Sequence, residues 1–247
     1  MSKTSEEKSN RSAVLPERGD KTTRLEAFVD AAFAFSVTLL VISGDHLPRS
    51  VDDLILALKA VPTFAASFML ILMFWTAHAE WSRRYGLDDA RTRQLSLLLV
   101  FLVLIFVYPL RMFFASFFSM VTNGWLPAKF SIATWGDIPA LFVTYGVANG
   151  ALCLVMLLLY RHAWNSRVVL QLSFEERVAS RMSQFRWAFQ LFVATLSVLI
   201  ALLTLRFGSE QTGWVLGLPG YLYFAIGLLW PLNTWYERRL HAQSSLA

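Results

Sequence analysis

Charge is scarce in this 247-residue chain: 16% of its residues are Asp, Glu, Lys or Arg, where a soluble domain carries about 25%. Cysteine is almost missing. With Cys153 alone, no intrachain disulfide can form and a thiolate zinc site has too few ligands; the residue is read as a small packing side chain. His46, His162 and His241 are placed in loops or near the end of the chain, without Cys, Asp or Glu at ligand spacing, so no metal site and no cofactor are expected. There is no Walker loop, no dinucleotide fingerprint and no readable Ser/His/Asp arrangement, which leaves an intramembrane enzyme without a nucleophile and base. Ten-residue stretches of alternating polarity are also missing, and a membrane β-barrel would need them.

Apolar residues make up the difference. They are 56% of the chain, including 20 Phe and 9 Trp, and the mean hydropathy is +0.49. One globular core cannot bury that much apolar surface; a bilayer accepts it all around a helix. Six apolar segments follow a polar start, at about 26–43, 54–78, 94–118, 138–160, 187–207 and 213–235. Each can cross roughly 30 Å of hydrocarbon as a helix, although the first is short. Residues 31–42 alone would pass for the apolar core of a signal peptide. The stretch before them carries Glu6, Glu7, Glu17 and Asp20, however, and Asp30 interrupts the start, so the segment is read as uncleaved.

The basic residues set a topology. With the N-terminus inside, seventeen of the 22 Lys and Arg fall on the inner side and four (Arg49, Lys59, Lys129 and Arg206) on the outer. Arg111 lies within the third segment and is read as snorkelling to the outer interface. This bias favours six spans with both termini cytoplasmic. The stretch 119–137, with Gly124, Trp125, Pro127 and Trp135, reads as an interfacial loop. Ser173 and Glu176 match a capping box that would open a short cytoplasmic helix before the fifth span. Gly146 with Gly150, and Gly213 with Gly217, have small-xxx-small spacing and indicate close helix contacts; Pro219 and Pro231 are expected to bend the sixth span.

The first span carries the most information, because Asp30 sits inside it. A carboxylate at that depth costs a few kcal/mol and needs a donor. On a helical wheel Phe35, Leu39 and Ile42 share a stripe with Thr38 at its edge, and Phe28 and Ala31 extend it. Asp30 lies roughly 140° from Phe35. From the spacing alone, ordinary helix packing is the favoured account of such a stripe over a pore. The second span ends in Trp75 and His78, at a similar depth to Asp30, so Trp75 Nε1 or His78 is the expected donor. For His78 a structural hydrogen bond is favoured over proton sensing.

Arg24-xxx-Phe28-x-Asp30 followed by Thr38-Leu39-Leu-Val-Ile42 resembles the first helix of the transmembrane protein 175 family of potassium channels. That family's motif reads Arg-xxx-Phe-Ser-Asp and then Ala-Ile-x-x-Thr-Leu-Leu-x-Leu. Ser67-Phe68 and Trp75-x-x-His78 are similar to its second helix, and Tyr108-Pro109 loosely to its third. The resemblance implies an all-α, six-span transmembrane bundle and a homotetramer in the cell membrane, with helix one lining a potassium pore. Residues 1–22, polar, mixed in charge and without periodicity, read as a disordered cytoplasmic tail, followed by a six-helix channel domain (23–240) and a cytoplasmic tail (241–247). The family does not use a carbonyl filter, and this chain has no Thr-Val-Gly-Tyr-Gly. By match to the family's pore stripe, Phe35, Leu39 and Ile42 form apolar rings with Thr38 as a polar layer. Arg24, Phe28, Asp30, Trp75 and His78 are the structural motif. Val29 stands where the motif has Ser, and Phe35 where it has an aliphatic residue. A small-solute secondary transporter and a non-conducting membrane scaffold are the alternatives. The scarcity of ionisable residues in the spans weighs against the transporter.

Overall fold

The computed structural model describes residues 17–19, 22–42, 49–128, 134–208 and 215–228. Its elements are all helical: α1 (Arg24–Ile42), α2 (Val51–Lys59), α3 (Val61–Tyr85), α4 (Ala90–Val121), α5 (Asp137–Asn165), α6 (Phe174–Phe207) and the single turn α7 (Leu218–Tyr221). Polar residues at the breaks set the starts. Thr23 and Glu26 exchange hydrogen bonds at the entry to α1, with the Thr23 amide donating to Glu26 Oε2 at 2.7 Å and the Glu26 amide to Thr23 Oγ1 at 3.1 Å. This is a reciprocal capping box. The Asp89 carboxylate accepts from the Thr92 amide at 2.8 Å to open α4, and the Ser173/Glu176 box opens α6. Helix α3 stops at Gly86, whose φ of 57° is left-handed and suits glycine.

Among the described residues, four stretches are long and apolar enough to cross a membrane: Val51–Tyr85, Ala90–Val121, Asp137–Asn165 and Phe174–Phe207. The first of them is broken between α2 and α3 at Ala60. No proline or glycine interrupts residues 174–207, so the expected short cytoplasmic helix and the fifth span form one 34-residue α6. That is about 51 Å of helix, well beyond the hydrocarbon, and its polar first turns extend outside it. Helix α1 has 19 residues, or about 28 Å. The sixth apolar segment is described over 215–228, where two 3-10 stretches flank α7 and Pro219; Gly213 and Pro231 lie outside the described residues.

Helix α5 packs along both α6 and α4, and α1 lies against α3 and α4. At Gly146 the α5–α6 approach leaves no room for a side chain: a Cβ there would stand 2.6 Å from Val198 Cγ2. The small-xxx-small spacing on α5 therefore serves contact within the subunit. The core is aromatic at two levels. Phe74 stacks on Trp187, and Trp81, Tyr85 and Tyr160 form a buried chain of rings toward the end of α3. Toward the other end, Phe113 stacks on Tyr145 with centroids 4.2 Å apart. Large apolar side chains such as Phe101, Ile105, Phe192 and Leu203 are exposed around the outside, as lipid-facing helices require.

Candidate pore-lining helix

Helix α1 has two unlike sides. Val29, Phe33, Ser36 and Leu40 are buried against the rest of the subunit. Phe28, Ala31, Ala34, Phe35, Thr38 and Val41 are on the other side, with Phe28 exposed at 53% and Phe35 at 54%. On the wheel these less covered residues fill an arc of about 140° centred near Thr38. Leu39 lies at its margin and packs partly on the core. Ile42 ends the helix. The Thr38 hydroxyl donates back to the Ala34 carbonyl at 3.1 Å, so its donor is satisfied while its oxygen stays on the open side. Val29 is fully buried in the core cluster, which gives an apolar residue there a packing role.

The helix is fastened at several depths. Trp75 Nε1 donates to Asp30 Oδ1 at 2.8 Å and joins α1 to α3. Asp30 itself is exposed at the edge of the open arc, so the side opposite the stripe is an apolar packing surface and the carboxylate sits at its border. His78 is buried and faces elsewhere, sharing a 3.0 Å hydrogen bond with Ser96 of α4. At the start of α1, Ser82 Oγ donates to Glu26 Oε1 at 2.5 Å. At its end Arg111 Nη1 donates to the Leu40 carbonyl at 3.1 Å. Arg111 thus satisfies a carbonyl in the last turn of α1, where snorkelling to the interface was expected. Arg24 is the first residue of the helix.

A second set of contacts lies at the same end as the start of α1. The Arg18 and Gly19 amides both donate to the Arg83 carbonyl at 3.0 Å, and the Arg18 guanidinium forms an ion pair with the buried Glu176. Part of the stretch expected as a tail is therefore docked on the ends of α3 and α6. Pairing with Glu176 raises the Arg18 pKa against the opposing cost of burial. His162, expected in a loop without acidic neighbours, is in the last turn of α5 and pairs with Asp89 at 2.6 Å.

Comparison with known proteins places this architecture. The family model described as "Endosomal/lysosomal potassium channel TMEM175" matches residues 24–109. A potassium channel of Marivirga tractuosa is 33% identical over 213 residues, covering 84% of each chain. The chain belongs to the TMEM175 potassium channel family. A crystal structure of a variant of the potassium channel MtTMEM175, in complex with a nanobody–MBP fusion protein, superimposes on this TMEM175 chain with a TM-score of 0.74. That match has 29% identity and covers 95% of this chain and 98% of the other. The family and these relatives are potassium channels, not enzymes. In this TMEM175 chain, Glu26, Ser82, Ser96 and Arg111 hold the first helix or its neighbours and were not among the expected motif residues. Thr23-x-x-Glu26 carries a capping signal that could have been read. Nothing in local sequence pairs Ser82 with Glu26 or Arg111 with Leu40.

Proposed function

We propose that four copies assemble with α1 around a common axis to form a potassium-permeable pore. In this reading Phe35, Leu39 and Ile42 form successive apolar rings and Thr38 a polar layer beside them. Residues 23–240 form a six-span channel domain in the cell membrane, and residues 1–22 and 241–247 are cytoplasmic tails. The seventeen-to-four distribution of basic residues supports both termini being cytoplasmic.

One observation carries the assembly: α1 is anchored from behind and left uncovered in front. The bonds from Trp75, Ser82 and Arg111 all hold it from α3 and α4, while Phe28 and Phe35 are exposed on the opposite side. A helix held this way can present one fixed face to its symmetry mates. Within the motif Arg24, Phe28, Asp30, Trp75 and His78, the Asp30–Trp75 bond sets its rotation and His78 braces α3 against α4. An apolar ring excludes ions by dewetting and opens when it widens. Potassium sheds part of its hydration shell more easily than sodium, so a ring that demands partial dehydration favours it. Phenylalanine at position 35 narrows the innermost ring relative to an aliphatic residue.

The test is potassium flux from liposomes containing purified protein, with wild type compared against Leu39→Asn and Phe35→Ala. A polar ring at 39 should raise basal flux, and a smaller ring at 35 should raise flux and reduce discrimination against sodium. Wild-type conductance and selectivity in both variants would overturn the assignment.

A further inference from the structure

Away from α1, the C-terminal turns of α5 and the first half of α6 enclose a groove of about 490 Å³, lined by Leu157, Arg161, Trp164, Arg181, Gln184 and Phe185 among others. Its polar and apolar parts are separated along the helix axes. Arg161 is one turn beyond Leu157, and Arg181 one turn before Phe185, so each arginine stands about 6 Å from the apolar residue on its own helix. By sequence the hydrocarbon boundary falls near 160 on α5 and near 187 on α6. The arginines are therefore at headgroup level, and Leu157 and Phe185 are at the edge of the acyl region.

The charge is organised as well as positioned. The Arg181 guanidinium lies 4.0 Å from the centroid of the Trp164 ring, and Arg167 lies 5.1 Å from the same ring. A ring that braces Arg181 this way leaves the edge of its guanidinium available. Among the described residues neither Arg161 nor Arg181 makes an ion pair; the nearby carboxylates Asp89 and Glu176 are paired with His162 and Arg18. Gln184 contributes an amide nitrogen that is buried and finds no acceptor among the described residues. Two guanidinium groups with no ion pair among the described residues, and an amide donor beside an apolar floor, match a phosphodiester joined to acyl chains.

We propose that this groove binds an anionic phospholipid, with the phosphodiester held by Arg161 and Arg181 and one acyl chain lying on Leu157 and Phe185. The site is remote from the α1 face, and lipid binding at it is independent of whether α1 lines the pore.

Native mass spectrometry of the purified full-length protein in detergent tests this by titration with dioleoyl-phosphatidylglycerol, with phosphatidylcholine of the same chains, and with inorganic phosphate. We expect phosphatidylglycerol to bind about tenfold more tightly than phosphatidylcholine. R161Q/R181Q should abolish that preference, and R91Q/R93Q, which removes the same charge elsewhere, should keep it. Equal binding of the two lipids to wild type would overturn the proposal without recourse to any variant. So would a preference that survives R161Q/R181Q, or one that R91Q/R93Q removes equally. Displacement of phosphatidylglycerol by inorganic phosphate would mark a soluble-phosphate site and end the lipid assignment.

Discussion

Replacing Asp30 by leucine and by asparagine separates an anchoring carboxylate from one that is merely tolerated. The Trp75 indole donates to Asp30 Oδ1 at 2.8 Å, a charge-assisted bond of the kind that nets about 1.5–3 kcal/mol. Asp30 is exposed within the subunit, which favours the lower part of that range, so Asp30→Leu should cost about 2 kcal/mol. Asparagine keeps an acceptor oxygen at the same position but loses the charge, and neutral hydrogen bonds are roughly half as strong, so Asp30→Asn should cost about 1 kcal/mol. For a chain of this size, 1 kcal/mol moves the midpoint by about 2–4 °C. Thermal unfolding in detergent should therefore show a fall of about 4–8 °C for Asp30→Leu and about half that for Asp30→Asn. In a Trp75→Phe background the donor is already gone, and adding Asp30→Leu should move the midpoint little. Equal losses from the two single variants, or an Asp30→Leu cost undiminished by prior removal of the indole, would refute the claim that this bond anchors α1.

Two further outcomes follow from packing and charge. Gly146→Ala should destabilise by about 1–3 kcal/mol through overpacking, because the new methyl would stand 2.6 Å from Val198 Cγ2, whereas Gly150→Ala, with its nearest neighbour at 3.5 Å, should be close to neutral. Val198→Ala should rescue Gly146→Ala in the same melting assay, and no rescue would place the strain elsewhere. At Asp89, burial raises the carboxyl pKa, but the Thr92 amide and His162 outweigh it and leave the pKa lowered from 3.8. A lowered folded-state pKa means the contribution is present above the unfolded value and lost as pH falls through the folded one. Melting temperature should thus drop on the acid side of 3.8, and Asp89→Asn should flatten that limb of the profile.

Much of the fold is legible in the sequence because the solvent for these helices is lipid. Apolar stretches near membrane length can satisfy their backbone there only as helices or closed barrels, so residues 94–118 and 138–160 announced α4 and α5 directly, while 54–78 announced a helix without its break at Ala60 between α2 and α3. Asp30 was legible for the opposite reason: a carboxylate among Phe, Val and Ala is costly enough to imply a partner. The capping pairs Ser173/Glu176 and Thr23/Glu26 are local, and local spacing carries them. The extent of α6 was less clear, because a polar first half looks like a separate helix when only hydropathy is followed.

By itself, the sequence determined that this chain is helical, resides in a membrane and carries a motif centred on Asp30, since those properties depend on composition and short spacing. Only the tertiary structure decided which donor meets Asp30, that His78 turns to Ser96, that Arg111 closes the end of α1, and which arc of α1 stays uncovered. Each of those depends on how α3 and α4 are rotated against α1. That rotation comes from packing of rings and small residues far apart in the chain, and no local pattern encodes it.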